Sequence, residues 1–126
     1  MLENFGIGID IVEIKRFKEK PFEKNIHFYK KIFSESEINY CLNKKNSVET
    51  FASKFAIKEA VIKSIKKQIE LLEIITDYED SKPIVSLKND NTYKFLVSST
   101  HEKLFAISTV ISEKQCLINK FSSNFS

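Results

Sequence analysis

One change of rhythm constrains this chain more than any other feature. Near residue 70 its apolar residues stop recurring every three or four positions and begin to alternate. Upstream, Phe51, Phe55, Ile62 and Ile65 fall four, seven and three apart, along one stripe of a 3.6-residue helix. Ala52, Ala56 and Ala60 keep a neighbouring stripe slim, so that another element can approach closely. Glu59 and Lys63, four apart, share a third side, with Lys66 a turn further on. The spacing predicts one long helix from about Val48 to Gln68, capped by Asn46 or Ser47. Downstream, the period of two predicts strands at Leu72 to Thr76 and Pro83 to Leu87, with a turn from Asp77 to Lys82 between them. Lys88-Asn89-Asp90-Asn91 is a further turn signal. Lys94 to Ser99 and Phe105 to Ile111 then form a second antiparallel pair around Thr100-His101-Glu102-Lys103.

Before the long helix the chain reads strand, helix, helix, helix. Phe5 to Val12 is a short β-branched apolar run, read as a buried strand. Ile14 to about Lys20 is a short basic helix that stops at Pro21, and Phe22 to Ile32 is an amphipathic one. Ser34-Glu35-Ser36-Glu37 is a capping box, opening a third helix that ends near Leu42. Helices gathered mostly in the N-terminal half and strands in the C-terminal half predict an α+β fold. In it the long central helix packs on an antiparallel sheet that takes in the first strand. A chain of 126 residues, 42% hydrophobic and 29% charged, is read as a single globular domain over residues 1–126, with 119–126 as a frayed tail. No apolar run reaches a membrane span, and the first residues lack the basic and hydrophobic regions of a signal peptide. Cys41 and Cys116 have neither metal nor disulfide spacing and fit a reducing cytoplasm.

Three features point to chemistry. Asp10 interrupts an apolar strand, where a carboxylate is expensive unless it is hydrogen-bonded, paired or bound to a metal. Glu59 and Lys63 fit a carboxylate for a hard metal and an ammonium for a phosphate, although the same spacing also makes an ordinary helix-stabilising pair. Gly6 and Gly8 start a Gly-x-Gly pattern whose third glycine would fall at Ile11, so a dinucleotide fingerprint is excluded. No glycine-rich phosphate loop exists elsewhere, because these are the only two glycines. The net charge of +3 is too mild to indicate nucleic acid, but Lys15, Arg16, Lys18, Lys20 and Lys24 crowd one segment that would attract an acidic partner.

Four blocks, in order, carry a resemblance. Gly6-Ile7-Gly8-Ile9-Asp10-Ile11-Val12-Glu13 is similar to a G-x-G-x-D-I-V-E opening, and Phe33 to Cys41 to an F-[TS]-x-x-E-x-x-Y-C segment. Phe55-Ala56-Ile57-Lys58-Glu59-Ala60-Val61-Ile62-Lys63 resembles F-A-x-K-E-A-x-x-K, and Val97 to His101 resembles V-S-x-[ST]-H. Together they resemble the holo-acyl-carrier-protein synthases, the short type of 4′-phosphopantetheinyl transferase. The resemblance implies transfer of the 4′-phosphopantetheine arm of coenzyme A to a serine of apo acyl carrier protein, with release of 3′,5′-ADP. It also implies Mg²⁺, for which Mn²⁺ is a possible substitute, and a homotrimer with sites between subunits. By position Asp10 and Glu59 would hold the metal, and Lys63 would lie against the pyrophosphate. Lys44, Lys45, Lys54, Lys66 and His101 would line the coenzyme A site, while Arg16, Lys18, Lys20 and Lys24 would meet the carrier protein. The serine would lose its proton to Glu59 or to a water on the metal, and no nucleic acid or membrane would take part.

Two departures stand out. After Lys63 the family carries a glycine-rich loop, where this chain has Ser64-Ile65-Lys66-Lys67-Gln68-Ile69: either Lys66 and Lys67 replace backbone contacts with charge, or the helix continues. Ser53-Lys54 stands where Gly-Arg is common, and lysine lacks arginine's bidentate grip. Outside this family, the composition also fits a non-catalytic basic module binding an acidic protein or RNA, or a metal-dependent enzyme acting on another pyrophosphate.

Overall fold

A computed structural model of the protein describes residues 2–115. The predicted frayed tail and Cys116 lie outside the described residues. Strand β1 (Phe5–Glu13) leads into a one-turn helix α1 (Lys15–Lys18), then a 3-10 turn at Phe22–Lys24, α2 (Ile26–Ile32), α3 (Glu35–Leu42) and the long α4 (Ser47–Ser64). Two hairpins follow: β2 (Ile74–Glu79) with β3 (Lys82–Leu87), and β4 (Tyr93–His101) with β5 (Phe105–Lys114). β5 lies between β1 and β4 in an antiparallel three-stranded sheet, while β2 and β3 form a separate two-stranded ribbon.

The α+β architecture expected from the change of period is therefore present, with the first strand joined to the last hairpin. One correction is that the strands make two sheets rather than one. Another is that Phe22 to Ile32 is broken: Asn25, at φ −138° and ψ 34°, separates the 3-10 turn from α2. The turn between β2 and β3 is tighter than the expected 77–82, because Asp80 and Ser81 both adopt positive φ (51° and 66°) and close a two-residue hairpin.

The capping box at Ser34 forms as predicted. The Ser34 hydroxyl accepts from the Glu37 N–H at 3.2 Å, and Glu37 accepts from the Ser34 N–H at 2.8 Å.

Helix α4 lies across the inner face of β1 and β5. The approach is very close: a Cβ added at Gly8 would sit 1.9 Å from the Ala60 carbonyl oxygen, and one at Gly6 would sit 1.7 Å from that of Ser64. The slim alanine stripe and the two glycines thus belong to one packing event. α4 ends at Ser64, four residues before its predicted end, with Ile65 extended at φ −123° and ψ 153°. The reason is visible at the junction, where the Ser112 hydroxyl of β5 donates to the Ser64 carbonyl at 2.8 Å and takes up a group that the helix end leaves free.

Phe17, Phe33, Phe51 and Phe55 pack with Tyr29 into an aromatic core between α4 and the short helices. A second core, around Ile57, Val61, Ile74 and Val110, lies between α4 and the strands.

Candidate active site

Positions 6, 8, 10 and 12 of β1 share its inner face, so Asp10 meets α4 directly. Its partner is Lys63, whose ammonium donates to Asp10 Oδ1 at 2.9 Å and to the Ile9 carbonyl at 3.2 Å. This pairing answers the expense of a carboxylate in an apolar strand, since the Asp10 side chain is only 14% exposed. The bond to Asp10 also holds the Lys63 ammonium above the ordinary lysine range.

Glu59 sits one turn before Lys63 and is half-buried. Burial first, and then the charge of Asp10, push its carboxyl above the ordinary glutamate range, while Lys63 and Arg16 pull the other way. Arg16, on α1, rests its guanidinium 4.9 Å from the Phe55 ring centre, on α4 itself. Asp10, Glu59 and Lys63 therefore meet between β1 and α4, with Arg16 of α1, expected at the carrier surface, close enough for its charge to act on Glu59.

A cavity of about 320 Å³ opens further toward the N-terminal half of α4. His101, at the end of β4, and Lys44 line it together with Thr50, Ser53 and the rings of Tyr40 and Tyr78. Lys44 lies 4.8 Å over Tyr40, and the two tyrosine rings stack at 4.9 Å. A second groove, of about 490 Å³, begins at Lys63 and Ser64 and runs past Lys66, Gly6, Ile7, Tyr93 and Lys114.

Several expected residues are placed differently. Lys54 does not reach the cavity surface. It is 1% exposed, and its ammonium sits behind the Tyr40 and Tyr78 rings (4.9 and 4.7 Å), donating to the Thr76 hydroxyl at 2.8 Å. A lysine at this depth is turned away from the surface where a phosphate would bind. Lys45 is exposed and takes no part in the cavity lining. Lys66 lies beyond the end of α4 and lines the second groove together with Lys63. Lys67 pairs with Asp90 at 2.9 Å, so the segment after α4 is tied to the β3–β4 turn. Lys18, Lys20 and Lys24 are exposed near α1, with Lys20 resting 4.2 Å over Phe28.

Sequence reading gave no role to Tyr78, which fell among predicted turn residues, or to Lys58 and Glu37 beyond helix and cap. Glu37 and Lys58 do stand at fixed letters of two motif blocks, F-[TS]-x-x-E and F-A-x-K-E, which could have marked them.

Fold and site together define an α+β chain whose long helix brings a carboxylate and a lysine against the aspartate of its first strand. Residues 6–116 match the model of the 4′-phosphopantetheinyl transferase superfamily, and the chain belongs to that family. The holo-[acyl-carrier-protein] synthase of Thermodesulfovibrio yellowstonii is 39% identical over 110 residues, covering 84% of this chain and 96% of that protein. The enzyme of the same name from Mycoplasma capricolum is 39% identical over 113 residues, covering 88% and 94%. Among solved structures, the Helicobacter pylori holo-[acyl-carrier-protein] synthase in complex with coenzyme A superposes with a TM-score of 0.73 at 30% identity, covering 85% of this chain and 99% of that one. The Bacillus anthracis enzyme gives 0.72 at 32% identity, covering 87% and 96%.

Proposed function

We propose that this chain makes holo-acyl carrier protein at the Asp10–Glu59–Lys63 cluster, where Asp10 and Glu59 are the carboxylates that would hold Mg²⁺. The reaction is the family's transfer of the 4′-phosphopantetheine arm from coenzyme A to a serine of apo acyl carrier protein. The observation that carries the site is the 2.9 Å Lys63–Asp10 contact with Glu59 beside it.

The residues fit the metal. Asp10 and Glu59 are close enough for the charge of one to raise the pKa of the other, a repulsion that a divalent cation relieves. Among the described residues no third His, Cys, Asp or Glu joins them. A two-carboxylate set is what Mg²⁺ accepts when waters and substrate phosphates fill its remaining positions. Bound there, it would neutralise charge on the leaving diphosphate.

The chain's own groups supply the rest. Lys63, more than half exposed, is free to swing from Asp10 to the pyrophosphate and stabilise the charge that builds there. The serine proton would pass to Glu59, which lies beside Lys63, or to a water that the metal would hold. The serine oxygen then forms its bond to the phosphorus of the pantetheine arm as the bond to 3′,5′-ADP breaks. Lys44 and His101 would hold the nucleotide end in the tyrosine-walled cavity. Arg16, with Lys18, Lys20 and Lys24 around it, would meet the acidic carrier, guiding encounter more than chemistry.

A homotrimer is supported by the outer face of the three-stranded sheet. Ile7, Ile9 and Leu96 are 70%, 61% and 71% exposed, with Phe5, Ile11 and Ile111 beside them. A contiguous apolar sheet face of this kind is suited to a second subunit. A cytoplasmic location agrees with there being no helix among the described residues long and apolar enough to cross a membrane.

The test is direct. The protein is incubated with coenzyme A, Mg²⁺ and a panel of apo carrier proteins, and the carriers are weighed. Gain of one phosphopantetheine arm, abolished by chelator, is the expected result. No gain with any carrier would favour the non-catalytic basic module.

A further inference from the structure

Three charged side chains fill the middle of the molecule without touching the site. Glu37, Lys54 and Lys58 are each at most 2% exposed. The Lys58 ammonium donates to Glu37 Oε1 at 2.7 Å, to the Ile32 carbonyl at 2.8 Å and to the Leu71 carbonyl at 3.1 Å, which uses all three of its hydrogens. Glu37 Oε2 accepts from the Thr76 hydroxyl at 2.6 Å and from the Thr76 N–H at 2.9 Å. The Thr76 hydroxyl in turn accepts from Lys54 at 2.8 Å. Lysine can only donate, so the hydroxyl hydrogen is committed to Glu37 and every bond in the array has one direction.

Stability alone is a poor reason for such an array, because burying ions costs about as much as their attraction returns. Geometry supplies a better one. α4 meets β1 through Ala60 and Ser64 lying on two glycines, and the Ser112–Ser64 and Lys63–Asp10 bonds hold it on that side. Lys54 and Lys58 are one turn apart on the buried side of α4, while Glu59 and Lys63 occupy the adjoining side that opens to the site. Directional bonds at Lys58, immediately before Glu59, hold the buried side of the same helix. They fasten α4 to four other places in the chain: the end of α2, the turn at Leu71–Glu73 and, through Glu37 and Thr76, α3 and β2.

We propose that Glu37, Lys58 and Thr76 are positioning residues for the transfer: their bonds set the rotation of α4 about its axis and so aim Glu59 and Lys63 at the substrate. This rests on the active-site assignment above, and none of the three touches coenzyme A or the carrier serine.

The test compares Thr76→Val, which keeps the shape and loses the hydroxyl, with Thr76→Ser, which keeps the hydroxyl. A paired Glu37→Met/Lys58→Met variant removes both charges together. Melting temperature is measured for each, with kcat and the KM for coenzyme A at saturating carrier. Misplacement of catalytic groups by about 1 Å costs up to a hundredfold, so the paired variant is expected to lose about tenfold or more in kcat with KM changed by less than about threefold. Thr76→Val is expected to lose kcat in the same direction, measured well below its melting temperature. That temperature itself falls, because the buried Lys54 ammonium loses an acceptor, and Thr76→Ser is expected to recover both. Should the paired variant fail to fold, the two Thr76 variants decide alone. The proposal is overturned if Thr76→Val keeps wild-type kcat, if Thr76→Ser is as slow as Thr76→Val, or if a folded paired variant keeps wild-type kcat. Absence of transfer in the wild-type protein with every carrier would instead overturn the active-site assignment.

Discussion

Asp10 shows how one residue can satisfy two demands. Its bond to Lys63 makes it tolerable in an apolar strand, and its charge acts on Glu59, so the proposed cation would relieve both carboxylates. Asp10→Asn and Glu59→Gln should therefore each abolish transfer while leaving the circular dichroism spectrum and cooperative unfolding intact. Near-normal rates in either would remove that residue from the chemistry. Glu37 is the opposite kind of carboxylate. Burial works against its charge, but donors from Lys58, Thr76 and Ser34 win and hold its pKa below the ordinary value of 4.5. A lowered carboxyl pKa contributes stability above the ordinary value and loses it as pH falls through the lowered one. Melting temperature should accordingly decline on acidification below about pH 4.5 in the wild type, and Glu37→Gln should show a flatter acid limb. An identical acid limb would mean that the bonds seen around Glu37 do not persist in solution.

At the scale of elements, the crossing of α4 over β1 is the contact on which the site's geometry depends. It brings Asp10 against Lys63 across more than fifty residues of chain. Only hydrogen fits at Gly6 and Gly8, because the obstructing atoms are backbone carbonyls that cannot rotate away. Gly8→Ala should destabilise the protein by about 1–3 kcal/mol in urea unfolding, with activity falling further than stability because the helix is displaced. A stability change near zero would show that the crossing is looser than it looks. The early end of α4 has the same origin, since Ser112 of β5 takes the Ser64 carbonyl. The chain then leaves the helix, Lys66 turns into the Lys63 groove, and Lys67 anchors the segment to Asp90. The helix does not continue past Ser64, and of the two lysines that follow, Lys66 lines the groove while Lys67 is paired with Asp90.

For the whole molecule, two surfaces carry the predictions. The apolar outer face of the β1–β5–β4 sheet should be the association surface. Ile9→Asp at its centre should lower the mass measured by light scattering to that of a single chain, with loss of transfer. A wild-type protein that scatters as a monomer would leave that face without its partner. The basic surface around α1 should serve the carrier: Arg16→Glu should weaken carrier binding by about tenfold while changing coenzyme A affinity far less, as expected of a charge reversal at an interface rim. Equal loss of both in calorimetric titration would place Arg16 in the coenzyme site instead.

Much of this protein is local information. Periodicity of 3.6 and then 2 gave α4 and the strands, Ser34 and Glu37 gave a cap that forms as read, and the motif blocks gave Asp10, Glu59 and Lys63. What stayed hidden depends on partners distant in sequence. The end of α4 needed Ser112, the reason for two glycines needed the Ala60 and Ser64 carbonyls, and the true surroundings of Lys54 needed Thr76 and two tyrosine rings. A lysine reads as a surface cation because charge is ordinarily solvated, and only the packed chain decides which lysine is buried instead. The sequence by itself determined which residues can do the chemistry, through residue type and helical or strand spacing. The tertiary structure alone decided which of them meet, because a contact between β1 and α4 depends on the paths of two elements and not on the period of either.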